Sequence, residues 1–458
     1  MISPIKDLVS LIERITGRKD RAAIRSELKD ENPIDIAEAI TRVEPDEAAE
    51  VLEALPIFQA AEIMVEAPTE TVKQIVPLLS DETLAAYLDV LPMDDAIDLS
   101  EELEPERFEA LLEVIPDEDA EEIRRLMAYD EDAVGRVMTE HFFRVKPEDT
   151  MGQVLEDMRL APQDKYETIH DLFVLNEDGA LQGVLSLRRA LRLGPDQTAA
   201  SVMNTDVVTA LDTEDQEAAA RRMARYGFFA LPVVTEAGVM VGVFTGDDAQ
   251  DILREAETED VLAIGAVSGD AEPYMSLNVW QLYKRRFPWL LALFAAEYLT
   301  GSVMRHYGQN DPSLGIQPLM MFIPLIIGAG GNSGSQVTTT ITRALALDEI
   351  RGRDTLAVLG KELLVALMIG ASLGLVGFLR ALAPTPIGWS SGWELSAVVG
   401  LALPSIVLWA ATVASVLPIG AKKLGIDPAV MSAPFITTFV DATGLIIYFQ
   451  IALTMLNK

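Results

Sequence analysis

The stretch PFITTFVDATGLIIYFQIAL (Pro434–Leu453) decides the architecture. It has the apolar character of a membrane-spanning helix, for which about 20 residues suffice. Asp441 lies inside it, with no basic residue close by in the chain. A carboxylate at that depth is costly, and where one occurs it faces a bundle interior or a wet path. The remaining sequence must supply a setting in which Asp441 is tolerated.

Charge divides the chain into two materials. The 458 residues carry 71 acidic and 36 basic side chains, a net charge of −35. Residues 1–283 hold 62 acids and 24 bases, whereas 284–458 hold 9 and 12. A very acidic soluble portion is thus followed by an apolar one. The balance argues against nucleic acid as a partner, because phosphates need a basic face, and it suits a protein that handles cations. There are no cysteines and three histidines, His141, His170 and His306. Thiolate chemistry is excluded and a His-rich zinc or copper site is disfavoured, leaving a hard, oxygen-bound ion as the expected metal. The opening MISPIKDLVSLIERITGRKD is charged throughout and is not of signal-peptide type, so the soluble part is expected in the cytoplasm.

Prolines at 33, 45, 56, 68, 92, 105 and 116 punctuate the first region, several closing similar phrases (LEALP, LDVLP, LEVIP) and followed by acids. Proline is tolerated in a first helical turn and Asp or Glu there complements the dipole. The pattern predicts short helices stacked as an all-α superhelical domain over 1–130, with Phe108, Leu111, Leu112 and Ile115 on an apolar face. Residues 131–253 contain a duplication. VGRVMTEHFFRVKPEDT (134–150) is echoed by AASVMNTDVVTALDTED (199–215), and DLFVLNEDGALQGVLSLRRAL (171–191) by ALPVVTEAGVMVGVFTGDDAQ (230–250). Each copy reads as helix, two strands around a turn, helix. The pair resembles a tandem α/β CBS pair, modules that dimerise and bind adenine nucleotides. Thr245 and Asp248 resemble the ribose and phosphate end of such a nucleotide site; a helix cap explains the same two residues. A linking helix from about 246 leads into an acidic linker over 254–283, and SGDAEP (268–273) is expected to break it.

Apolar stretches at about 287–305, 318–342, 356–382, 395–419 and 434–455 predict a five-helix transmembrane domain over 284–458. Lys284, Arg285, Arg286, Arg343, Arg351, Arg353, Lys422 and Lys423 fall on one side, against Arg305, Arg380 and Lys458 on the other. That excess places the N-terminal domains in the cytoplasm and the C-terminus outside. In the second stretch, PLIIGAGGNSGSQVTTTITRAL, four glycines weaken a helix. They read either as a broken backbone lining a cavity or as tight packing through small residues. GASLG (370–374) reads as packing or dimer contact.

PLIIGAGGNSGSQ (324–336), DPAVMSAPFITTFVDATGLIIYF (427–449) and the order of domains together resemble an MgtE-type magnesium transporter. The resemblance implies a homodimeric, Mg²⁺-selective channel of the cell inner membrane, not an enzyme, with its pore between subunits and lined by the second and fifth spans. It makes Asp441 the group that recognises hydrated Mg²⁺, an ion that sheds water reluctantly and suits few carboxylates. Thr437 and Ala433, about one and two turns earlier, are expected on the same path, and Asn332 and Gln336 on its wall. The family's linker is a plug helix: cytosolic Mg²⁺ bridges it to the N-terminal and CBS domains and closes the pore. The matching regulatory acids are Asp247, Asp248, Asp251, Glu255, Glu257 and Glu259, with Asp89, Asp94, Asp95 and Asp98 opposite. Mg²⁺ is then both cargo and regulator, with ATP a further ligand of the CBS pair and lipid the surrounding medium.

Two acids stay open. Glu297, in LFAAEYLTG of the first span, is a departure from the family pattern. It is a second cation-attracting group, a proton-linked site, or a partner for Arg305. Glu362 is a vestibule acid or half of an interfacial pair with Lys361. A proton- or sodium-coupled divalent-cation carrier or exporter, and a membrane Mg²⁺ sensor that transports nothing, are the alternative functions.

Overall fold

A computed structural model describes residues 4–16, 21–162, 166, 168–269, 274, 277–310, 316–347, 349–384, 391–426, 428 and 431–456. The chain forms two compact units, Met1–Ala256 with Glu272–Leu277, and Glu257–Ala271 with Asn278–Lys458.

The first unit opens with helices α1 (Pro4–Thr16), α2 (Arg21–Leu28), α3 (Pro33–Ile40), α4 (Pro45–Ala54), α5 (Ile57–Glu66), α6 (Thr69–Ile75), α7 (Asp81–Val90), α8 (Met93–Glu101), α9 (Pro105–Leu112) and α10 (Asp117–Leu126). The prolines set their starts. Pro33, Pro45 and Pro105 occupy the first helical position, where a missing N–H costs nothing, and Pro56, Pro68, Pro92 and Pro116 sit one residue earlier as caps. Odd-numbered helices stack on odd (α1 on α3, α3 on α5, α5 on α7, α7 on α9) and α2, α4 and α6 form a second row. This is the superhelix that the proline rhythm predicts. Phe108, Leu111, Leu112 and Ile115 are buried as expected.

Each half of the duplication then builds a three-stranded sheet, one strand more than the sequence pattern predicts. The first sheet has β1 (Phe142–Val145), β2 (Thr168–Leu175) and β3 (Leu181–Ser186); the second has β4 (Ala210–Leu211), β5 (Ala230–Val234) and β6 (Met240–Thr245). In both, the first strand runs parallel to the second and the second antiparallel to the third. The extra strands are short and precede the helix of each repeat, so no turn signal marks them. Helices α11 (Met151–Leu160), α12 (Leu187–Ala190), α13 (Ala199–Val202) and α14 (Gln216–Tyr226) pack around these sheets.

The two repeats interlock. Met138 of the first VM pair covers Gly242 of the second sheet, where a Cβ would lie 2.6 Å from the Met138 sulfur. Met203 of the second covers Gly183 of the first sheet, where the gap to its sulfur would be 2.8 Å. Bridges Thr139–Val243 and Val184–Asn204 repeat the exchange in the backbone. The second sheet also shares a core with the N-terminal helices, through Leu231, Val233 and Phe244.

Helix α15 (Gly246–Ile264) follows β6 directly, in accord with the predicted start near 246. It ends at Ile264, before the expected break at SGDAEP, and Ala266 has φ 57°. Residues 270–273 of that break, like Lys458 of the charge count, lie outside the described residues.

The second unit holds α16 (Val279–Asn310), α17 (Ile316–Met320), α18 (Ile323–Ala346), α19 (Thr355–Leu382), α20 (Trp393–Lys423) and α21 (Ala433–Leu456). Among the described residues, α16, α19, α20 and α21 are long and apolar enough to cross a membrane. Helix α18 has 24 residues but a polar, glycine-rich middle. α20 is the hub, packing against α18, α19 and α21, while α16 packs along α21. The GASLG glycines are part of that hub: a Cβ on Gly370 would lie 2.8 Å from Pro404 Cα, and one on Gly374 2.8 Å from Pro404 Cγ. They bring α19 onto α20 within one chain.

Candidate ion path and acidic seam

The glycine-rich segment is a continuous helix, so the broken-backbone expectation gives way to close packing. A Cβ on Gly330 would fall 2.8 Å from Ile406 Cγ2, and one on Gly331 would fall 2.8 Å from Thr437 Cγ2 and 3.3 Å from Asp441 Oδ1. Gly334 faces Ile436 in the same way. Absent side chains let α21 approach, which is what small residues supply where no hydrophobic effect drives helices together.

Asp441 is half-buried against this wall. Its Oδ1 is enclosed and accepts no hydrogen bond among the described residues. One turn earlier, the Thr437 hydroxyl donates to the Ala433 carbonyl at 2.9 Å and pairs with the Ser335 hydroxyl at 2.9 Å. The Ala433 carbonyl oxygen, expected on the path, accepts this hydrogen bond from Thr437. Asn332 and Gln336 lie on an exposed face of α18, and Ser335 and Gly331 make the contacts with α21 instead. In the sequence, Ser335 is one of several polar residues of this run and Gly331 one of its four glycines, with nothing to set either apart. Glu362 is half-buried on α19, a helix packed chiefly on α20. Glu297 is exposed on α16.

The first unit gathers a different set of acids. Asp94, Asp98 and Glu101 share one face of α8, at spacings of four and three, and Asp248, Asp251 and Glu255 share one face of α15. Withdrawal from water, then repulsion by Glu101, Glu255 and Asp248, lifts the Asp98 carboxyl to about 6, opposed by Arg136. Asp248 is pushed up more strongly, by burial and then by Asp94, although the Thr245 hydroxyl donates to it. Glu66 of α5 joins the seam: burial and then Asp251 raise it, and Arg254 opposes. The arginines are themselves engaged, Arg136 with Glu101 and Arg254 with Asp251 at 2.8 Å. Asp95 is the next residue of α8, and Asp247 adds its charge to Asp248. Asp89 instead faces Asp119 of α10. Glu257 and Glu259 lie on later turns of α15, in the second unit. Glu66 and Glu101 are seam members that the sequence did not single out, since only the superhelical packing chooses among so many acids.

Thr245 donates to Asp248, Asp248 also interacts with Asp94, and neither lines a cavity found in the CBS pair. That cavity, of about 260 Å³, lies at the first sheet and is lined in part by Asp171, Ser186, Arg189, Asn204, Asp206 and Phe228. Burial raises the Asp171 carboxyl, which His170 opposes.

A helical acidic domain, a CBS pair and an apolar bundle with an enclosed carboxylate define a membrane transporter for divalent cations. Residues 323–451 match the family model "divalent cation transporter", 31–132 the MgtE intracellular N domain, and 134–196 and 199–255 the CBS domain. The magnesium transporter MgtE of Thermus thermophilus is 34% identical over 443 residues, 96% of each chain, and that of Bacillus subtilis is 28% identical over 438 residues, 95% of this chain and 94% of its own. A crystal structure of the cytosolic domain of the Mg²⁺ channel MgtE with ATP covers 54% of this chain and 100% of its own, at TM-score 0.51 and 32% identity. The chain belongs to the MgtE family of magnesium transporters.

Proposed function

We propose that this chain conducts Mg²⁺ across the cell inner membrane, down its electrochemical gradient, along a path walled by α18 and α21. Asp441 is the recognising group. The observation that carries this is an enclosed carboxylate oxygen with no hydrogen-bond donor among the described residues, facing a helix stripped of side chains at Gly331. A carboxylate so placed lacks a counter-charge that a dication supplies. Hydrated Mg²⁺ keeps several waters and takes one or two carboxylates, so a homodimer with two Asp441 groups at the subunit boundary suits it. Thr437 and the Ala433 carbonyl extend the polar wall toward the cytoplasm, with the C-terminus outside.

The seam of Asp94, Asp98, Asp248, Asp251 and Glu255 is the cytosolic sensor. Raised carboxyls mark a contact held together against repulsion, and Mg²⁺ between them relieves it. Loss of Mg²⁺ loosens the contact and opens the path. The cavity beside Asp171, Arg189 and Phe228 takes an adenine nucleotide, an aromatic ring and a guanidinium meeting base and phosphate. The test is Mg²⁺ uptake into proteoliposomes. Asp441→Asn abolishes uptake while the protein remains folded, and normal flux through that variant refutes the proposal. Flux that requires an opposing proton or sodium gradient favours a coupled carrier.

A further inference from the structure

Glu297 is the acidic residue of α16, and the contacts of that helix fix its level. Tyr307 of α16 stacks on Phe449 of α21 with ring centroids 4.8 Å apart, and the Gln450 amide donates to the Tyr307 hydroxyl at 2.9 Å. These contacts fix the register of the two helices. Glu297 lies ten residues before Tyr307, and Asp441 lies eight and nine before Phe449 and Gln450. At about 1.5 Å per residue on both helices, parallel α16 and α21 bring the two carboxylates to one level. Between these two levels, Thr300 is 4% exposed and its hydroxyl finds no partner among the described residues. It follows Glu297 by three residues and shares its face of the helix. The face of α16 toward α21 therefore carries a carboxylate and an unpaired hydroxyl where apolar packing would otherwise continue.

We infer that Glu297 is a second carboxylate of the ion-recognition site, holding the hydration shell of the dication from α16 while Asp441 holds it from α21. This rests on the reading of Asp441 above. Two carboxylates on adjacent helices repel each other when the path is empty, and a hydrated dication between them removes the repulsion. Each group contacts the ion through water, because Mg²⁺ gives up its waters reluctantly. Removing the outer charge therefore weakens ion capture and leaves the path itself intact.

The experiment measures Mg²⁺ flux into proteoliposomes against Mg²⁺ concentration for the full chain carrying Glu297→Gln, Glu297→Asp or Asp441→Asn. Glu297→Gln raises the half-saturating Mg²⁺ concentration about fivefold with the maximal flux retained, the loss of one charge a few ångströms from a dication in a wet site. Glu297→Asp restores most of the affinity. Raising monovalent salt weakens capture by the parent chain more than by Glu297→Gln, since screening has less left to act on. Unchanged half-saturation in Glu297→Gln overturns the inference, as does a lowered maximal flux with unchanged half-saturation, which marks a packing role. If Glu297→Gln does not fold, half-saturation and salt response in Glu297→Asp decide the matter, and values equal to the parent in both Glu297→Asp and Glu297→Ala overturn it. Normal flux through Asp441→Asn strikes the underlying reading, independently of any Glu297 result.

Discussion

The hydroxyls of Ser335 on α18 and Thr437 on α21 stand 2.9 Å apart, one turn from Asp441. With the Thr437 proton committed to the Ala433 carbonyl, Ser335 is the donor across the helix pair. Interhelical hydrogen bonds in bilayers contribute only ~0.6 kcal/mol on average. Ser335→Ala is therefore expected to lower the melting temperature in detergent only slightly. Its larger effect falls on Mg²⁺ flux, because the hydroxyl orients the path wall beside the carboxylate. Thermal melts and uptake measured on the same preparation separate the two effects.

Glycines on α18 differ sharply in what they tolerate. Gly331→Ala drives a methyl group into Thr437 and toward Asp441, and loss of transport is expected. Gly328 has nothing within 4 Å of a added Cβ. Gly328→Ala is expected to transport normally and to gain up to ~1 kcal/mol from helix propensity. Uptake and melts of the two variants side by side test this; equal damage from both contradicts it.

The seam predicts a pH response. The Asp98 carboxyl has an ordinary value of 3.8 and is held at about 6 in the folded contact. A raised carboxyl binds its proton more tightly folded than unfolded, so the contact is most stable in acid. It loses stability as pH rises from about 4 to about 6 and stays at the lower level above. Without Mg²⁺, the melting temperature of the first unit is expected to fall across that window and to be flatter in Asp98→Asn. At pH 7 that variant is expected to melt higher than the parent chain and to gain less from added Mg²⁺.

Glu122 of α10 is 4% exposed, and its carboxylate stands 3.5 Å from His141 Nε2. Burial raises it, and His141 opposes. His141→Ala leaves this buried carboxylate without its neighbour, and a loss of about 1–3 kcal/mol is expected. Urea unfolding of the full chain checks the value, and Glu122→Gln with His141→Ala is expected to recover part of it.

Asp441 was legible in the sequence because a charge in an apolar run has few explanations. The superhelix was legible because proline and first-turn acids announce helix starts. The cross-packing of Met138 on Gly242 and Met203 on Gly183 was not, because the repeats read alike whether each packs on itself or on the other. The seam was half legible. Asp94, Asp98 and Asp248 stood out by position, while Glu66 reached it only through the stacking of α5 beside α8. The glycine run on α18 was ambiguous between a break and a close contact, and only the neighbours of each glycine decide.

The two sides of α19 are made for different surroundings. Gly370, Gly374 and Gly377 press against α20 with no clearance. Leu364, Met368, Leu375 and Val376 point outward and are between 60 and 65% exposed. A saturation-mutagenesis map of this helix is therefore expected to be striped. Any apolar residue survives on the outer positions, and almost nothing replaces glycine on the inner ones. Because the stripe repeats with the helical turn, the map alone reports which way the helix faces, without reference to any ion.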